Sequence, residues 1–179
     1  DHREVALSRG NLALALDRQG RYAEAVHEHE IALEVMKRVV GPRHPEVALE
    51  HENLGGGRLR QGEFEASESE YRAALAIRLE LMEPDHPEVT RSRHDLATVL
   101  LKRGAFSAAE VQLREVVTAW ARSLGEDHPN VALARINLGT ALRHQGKLVE
   151  AERQQRLALE QFESSLSPDD LDLATVRAS

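Results

Sequence analysis

A chain of 179 residues with 41% hydrophobic and 30% charged content has the composition of an ordered, globular fold. Aromatic residues at 3% leave the core to Ala, Leu and Val, which favours close-packed helices over a sheet sandwich. A net charge of −7 argues against nucleic acid as a partner, the lack of cysteine removes disulfide and thiol chemistry, and no apolar run reaches the ~18 residues of a membrane span.

The reducing setting implied by the missing cysteines, with no signal peptide at the start, points to the cytoplasm. The chain opens on Asp1 and stops inside a repeat, which reads as an excerpt from a longer protein. Lys occurs only at 37, 102 and 147 and Arg fills the other basic positions, a skew that fits a GC-rich, bacterial genome.

One period organises the whole chain. Gly20, Gly62, Gly104 and Gly146 are 42 residues apart, and His2, His44, His86 and His128 keep the same spacing. So do Val5, Val47, Val89 and Val131, and Leu12, Leu54, Leu96 and Leu138, each Leu followed by Ala or Gly. The repeats run approximately over 1–40, 41–82, 83–124 and 125–166, within a single domain spanning 1–179.

In chain order, the first repeat predicts a helix A ending at Gly20, where a left-handed residue terminates it cheaply. Its helix B starts near Tyr22, carries the small residues Ala25 and Ala32 where the two helices approach, and ends before Gly41. The second repeat opens on His-Pro-Glu-Val (44–47), with Pro in the first turn, where its missing N–H costs nothing, and His44 able to cap. Its helix A stops at Gly62, and helix B runs from Phe64 past Ser67 and Ala74 to just before Glu83. The third and fourth repeats copy this plan. Their A helices end at Gly104 and Gly146, and their B helices start near Phe106 and Leu148 and stop before Gly125 and Ser167. Residues 167–179 restart a helix A that would cover the last hairpin as a terminal cap, making about nine helices in all.

Leu-Ala/Gly, then Gly, an aromatic two residues on, then two Ala seven apart resembles the tetratricopeptide repeat. The 42-residue length and the linkers Gly-Pro-Arg-His-Pro-Glu-Val (41–47) and Gly-Glu-Asp-His-Pro-Asn-Val (125–131) are similar to the kinesin light chain subclass. Arg-x-Asn-Leu-Ala (9–13) and Arg-Ile-Asn-Leu-Gly (135–139) resemble bacterial members. The resemblance covers the whole chain. It implies an all-α, right-handed superhelical solenoid of antiparallel hairpins, with four full repeats and a partial C-terminal cap. It also implies a protein-interaction scaffold that takes a peptide in a concave groove lined by the A helices.

Helical spacing supplies the contents of that groove. Val5, Ala6, Leu12, Ala13 and Leu16 cluster on one side of the first helix A, and Leu7, Asn11, Leu14 and Arg18 form a stripe on the other. Later repeats contribute Leu49, Asn53, Gly56 and Arg60; Arg91, Asp95, Thr98 and Lys102; and Leu133, Asn137, Thr140 and His144. Asn11, Asn53 and Asn137 make a column, broken by Asp95, whose carboxamides can pair with an extended peptide backbone. Arg18, Arg60, Lys102 and His144 make a basic row beside it on an acidic chain. Such a row either attracts acidic groups of a partner or simply serves the C-terminal dipoles of the A helices.

Other residues read as structural. One His per repeat cannot converge on a metal, so the periodic His residues are caps, and His27 and His29 point ~200° apart along helix B. No constellation suggests catalysis or a cofactor. Glu63, Glu65, Glu68 and Glu70 read as a solvated convex face, and Trp120 as packing under a linker, in a column where Arg78 argues against obligatory burial. Arg9, Arg93 and Arg135, with His51, predict ion pairs between repeats. Gly55-Gly56-Gly57-Arg58 is either drift in a tolerant array or a notch in the groove at Gly56 with Arg58 nearby. The function these features favour is a peptide-binding interaction module, with an acidic partner. The alternative is a structural or sensory arm of a larger signalling protein.

Overall fold

The computed structural model describes residues 2–165, so the expected cap at 167–179 lies outside the described residues. Eight helices follow in order: α1 (His2–Arg18), α2 (Tyr22–Val40), α3 (Pro45–Gln61), α4 (Phe64–Leu81), α5 (Pro87–Arg103), α6 (Phe106–Leu124), α7 (Pro129–His144) and α8 (Leu148–Ser165). No strand occurs among the described residues. The chain is an all-α helical repeat array, with odd-numbered helices as the A members and even-numbered ones as the B members. None of the described helices is long and apolar enough to cross a membrane.

The helix boundaries follow from short-range chemistry. His44, His86 and His128 each accept a hydrogen bond at Nδ1 from the backbone N–H two residues on, at 3.2, 3.2 and 3.1 Å. Each is followed by Pro, so these histidines cap the A helices in place of the usual Ser or Asp. At the other end Gly62 sits at φ +80°, and the N–H of Glu63 reaches back to the carbonyl of Arg58 at 2.9 Å. Gly20, Gly104 and Gly146 take the same left-handed conformation, which explains the most regular column of the sequence.

Two compact units divide the chain, Asp1–Arg103 and Gly104–Ser179. In the first, α1 to α5 pack consecutively, and α1 also touches α3, so two A helices lie side by side. Its core joins Ala6, Val26, Leu33, Met36, Val47 and Leu54. In the second, α7 packs between α6 and α8. The small-residue columns act as close-approach points: a Cβ on Gly55 would lie 3.0 Å from the Tyr71 ring, and one on Gly139 only 2.9 Å from Gln155 Cγ. Ser67, standing where Ala25 and Ala109 stand in other repeats, donates its hydroxyl to the Gly55 carbonyl at 2.7 Å and so satisfies itself.

The first helix departs from the expected pattern. Val47, Val89 and Val131 are fully buried, yet Val5 and Leu12, on the same face of α1, are both 48% exposed. Later A helices receive a preceding B helix on that face, and among the described residues none precedes α1.

Candidate functional site

The stripe that the sequence assigns to the groove is carried, in the first unit, by α1, α3 and α5. Leu7, Leu14 and Leu49 remain largely exposed, as do Asn11 and Arg91, while Asn53 and Asp95 are half-buried. Between these helices lies a cavity of about 310 Å³. Leu14, Leu49, Asn53, Gly56 and Arg91 line it from the A helices, and Tyr71 and His29 reach it from α4 and α2. Gly56 borders it, and a Cβ there would lie 3.3 Å from Arg60 Nη1 and 3.5 Å from the Tyr71 hydroxyl.

Carboxylates and cations alternate round this cavity. Asp17 accepts Arg60 Nη1 at 3.1 Å, and Glu52 accepts Arg91 Nη2 at 3.3 Å. Behind Glu52 stands Arg78, only 2% exposed, which donates through both Nη1 and Nη2 to Glu52 and also to the Ser92 hydroxyl. Burial raises the pKa of the Tyr71 phenol far above its ordinary value; the negative charges of Asp95 and Glu52 add to this, and Arg60 opposes it. His29 holds Glu50 at 2.9 Å through Nδ1, and Gly10 leaves the room this needs, since a Cβ there would fall 2.7 Å from Glu50 Oε1.

Of the basic row in this unit, Arg18 and Lys102 are exposed, and Arg60 is exposed but shared with Asp17. Thr98 donates to its own helix at the His94 carbonyl, 3.1 Å away, leaving only lone pairs for a partner. In the second unit, α7 carries Leu133, Asn137, Thr140 and His144. Thr140 donates to the Ile136 carbonyl at 3.0 Å, and the His144 ring stacks flat on Phe106 with centroids 4.2 Å apart.

Models of the tetratricopeptide repeat match residues 5–46, 47–120 and 112–164. The chain belongs to the tetratricopeptide repeat family. Several solved structures share the fold. BtubC (BKLC) from P. vanneervenii superposes with a TM-score of 0.85 at 22% identity, over 94% of this chain and 68% of that one. The nearly identical TPR-like repeats of a Podosopora anserina kinesin light chain structure give 0.78 at 22%, over 89% of this chain and 76% of that one. The apo form of RapI gives 0.74 at 19%, over 89% of this chain and 43% of that one. Comparison of the sequence with functionally curated proteins found no match. Kinesin light chain-like repeats are thus among the structures this array resembles, and the fold is one typical of protein–protein interaction modules.

Several sequence expectations change once the array is seen. Arg78 does not show that its column tolerates exposure; it is buried because Glu52 and Ser92 supply its hydrogen bonds. The column of Arg9, His51 and Arg135 pairs within repeats and not between them: Arg9 with Glu28 at 2.6 Å, His51 with Glu70 at 2.6 Å, and Arg135 with Glu126. Their partners lie on helix B of the same repeat or, for Arg135, in the linker before it. The acidic run is only half solvated. Glu63 and Glu65 are exposed, but Glu68 is buried between Arg72 and Arg103, and Glu70 holds His51.

Arg58 lies away from the groove, bonded to Glu30 at 2.8 Å. Gly57 is not drift, because a Cβ would come within 2.9 Å of Val26 Cγ2. Val26 occupies the position held by Glu68 and Glu110 in the next two repeats, where the acid instead reaches a basic partner. The buried Arg78–Glu52 and His29–Glu50 pairs escaped the sequence reading. Gly10, a mid-helix glycine with no turn to explain it, was the one visible trace of the second pair.

Proposed function

We propose that the array is a peptide-binding module whose groove, on α1, α3 and α5 of the first unit, takes an extended segment of a partner protein with acidic residues along it. The observation that carries this reading is the cavity at the centre of the stripe. The half-buried Asn53 lies at its edge, and the exposed Asn11 occupies the same column one repeat earlier. A carboxamide offers a donor and an acceptor, which matches the repeating amide of an extended chain. Arg18 and Lys102 flank the stripe as exposed cations, so acidic side chains of the partner would meet them without first breaking an internal pair. Arg60 is the weaker recruit, being already engaged by Asp17.

The test is selection of a random twelve-residue peptide library on the native chain and on an Arg18→Glu/Lys102→Glu variant. The native array should enrich Asp and Glu, and the reversed array should lose that enrichment while its helical signal stays unchanged. Equal enrichment on both proteins would remove the acidic partner from the reading.

A further inference from the structure

The central cavity holds a set of polar groups that the array itself does not satisfy. Tyr71 is 8% exposed, and its hydroxyl has no hydrogen-bond partner among the described residues. It lies 3.5 Å from the point where Gly56 lacks a Cβ, so the hydroxyl borders the opening. His29 is 2% exposed and lines the same space. Its Nδ1 is paired with Glu50 Oε2 at 2.9 Å. Asp95 has no hydrogen bond, and its ion-pair contact, His94 Nδ1, is 3.7 Å away. The other charges are matched: Asp17 by Arg60, and Glu52 by Arg78 and Arg91. What remains unmet is the Asp95 carboxylate, the buried Oδ1 of Asp17 and the Tyr71 hydroxyl, which can donate one hydrogen bond as well as accept.

We propose that this cavity binds a single cationic side chain, Lys or Arg, entering over Gly56 toward Asp95, Asp17 and Tyr71. A guanidinium carries five donors and no acceptor, which suits the carboxylate oxygens of Asp95 and Asp17. Its methylene stem would lie along Leu14, Leu49 and the Tyr71 ring, as such stems do on apolar surface. The space, about 310 Å³, is roughly ten times the share of one water in the liquid and admits a long side chain. A carboxylate in the same place would face Asp95 and Glu52 and leave every unmet acceptor unmet. The inference deepens the peptide-groove reading by assigning one basic anchor to a partner whose flanks are acidic.

The experiment is an NMR titration of the ¹⁵N-labelled chain with N-acetyl-argininamide, using N-acetyl-norleucinamide and N-acetyl-glutamic acid amide as controls. These probes carry the side chain without a peptide to lie along the groove. The arginine probe should shift the Gly56 amide and the Asn53 carboxamide saturably, with both controls at least about ten-fold weaker. Asp95→Asn should lower its affinity about ten-fold. Gly56→Ala favours the helix and should stay folded, but its methyl occupies the opening and should weaken the arginine response. Equal shifts with norleucine, or an arginine affinity indifferent to Asp95→Asn, would overturn the pocket and leave the groove untouched. Arginine shifts without any selected peptide would support the pocket and sink the groove reading instead.

Discussion

Replacing Arg78 by Met tests whether a buried ion pair organises the first unit. Met36 stands at the same position one repeat earlier and is 1% exposed, so the local backbone already accommodates that side chain. The substitution strands Glu52, 8% exposed, with only Ser92 and the half-exposed Arg91 to hold it. Removing one partner of a buried pair costs about 3–5 kcal/mol, and the surviving Arg91 contact should trim this to roughly 2–4 kcal/mol. Removing both charges at once, as Arg78→Met/Glu52→Gln, avoids the stranded carboxylate and should cost about 1 kcal/mol. The cycle should therefore show a coupling of about 2 kcal/mol or more. Urea unfolding followed by circular dichroism measures it, and amide exchange along α3, α4 and α5 shows whether the loss is confined to these helices. A single substitution costing under about 0.5 kcal/mol, or additive effects in the cycle, would refute the reasoning.

Three further outcomes are expected. Gly57→Ala gains about 1 kcal/mol of helix propensity but drives a methyl into Val26, so thermal unfolding should show a net loss of about 1 kcal/mol. Adding Val26→Ala should turn that loss back toward a gain, and a stabilising Gly57→Ala alone would contradict the close approach. In the second unit, burial pushes the Glu110 carboxyl up, but hydrogen bonds from Lys147, Arg114 and Gln145 outweigh it and hold the pKa at about 2. Its folded pKa is thus depressed. The stability it contributes is complete above the ordinary value of 4.5 and is lost as pH falls from there through about 2. Glu110→Gln should flatten that acid loss by about 1–2 kcal/mol, after allowing for screening at the half-exposed Arg114 and Lys147. A variant as acid-sensitive as the native chain would count against it. His44→Ala and His128→Ala should each cost about 0.5–1 kcal/mol in the same unfolding assay, while Asn at either position should be nearly neutral.

The fold was legible because its punctuation repeats. Gly20, Gly62, Gly104 and Gly146 need positive φ, and His-Pro marks the A-helix starts at 44 and 86 and again at 128, so the boundaries could be read almost to the residue. The stripe on α1, α3 and α5 was legible for a similar reason, since helical spacing alone assigns a face. Partnership was not legible. Arg78 and Arg9 are the same letter with opposite fates, because which carboxylate lies within reach depends on how far each helix leans toward its neighbour. Gly57 reads as a weak helix residue until Val26 is placed against it across a helix interface. The exposure of Val5 and Leu12 shows the same limit, since a position's burial depends on the helix that precedes it.

The most direct test of the central claim is where a library-selected acidic peptide perturbs the ¹⁵N spectrum of the native chain. The groove account predicts that the side-chain amides of Asn11 and Asn53 and the backbone amide of Gly56 shift together and saturate at one affinity. That affinity should weaken with added salt and with Arg18→Glu/Lys102→Glu. Shifts confined to the outward positions of α2 and α4, such as Glu34, Arg38 or Ala76, would place the partner on the opposite face and contradict it.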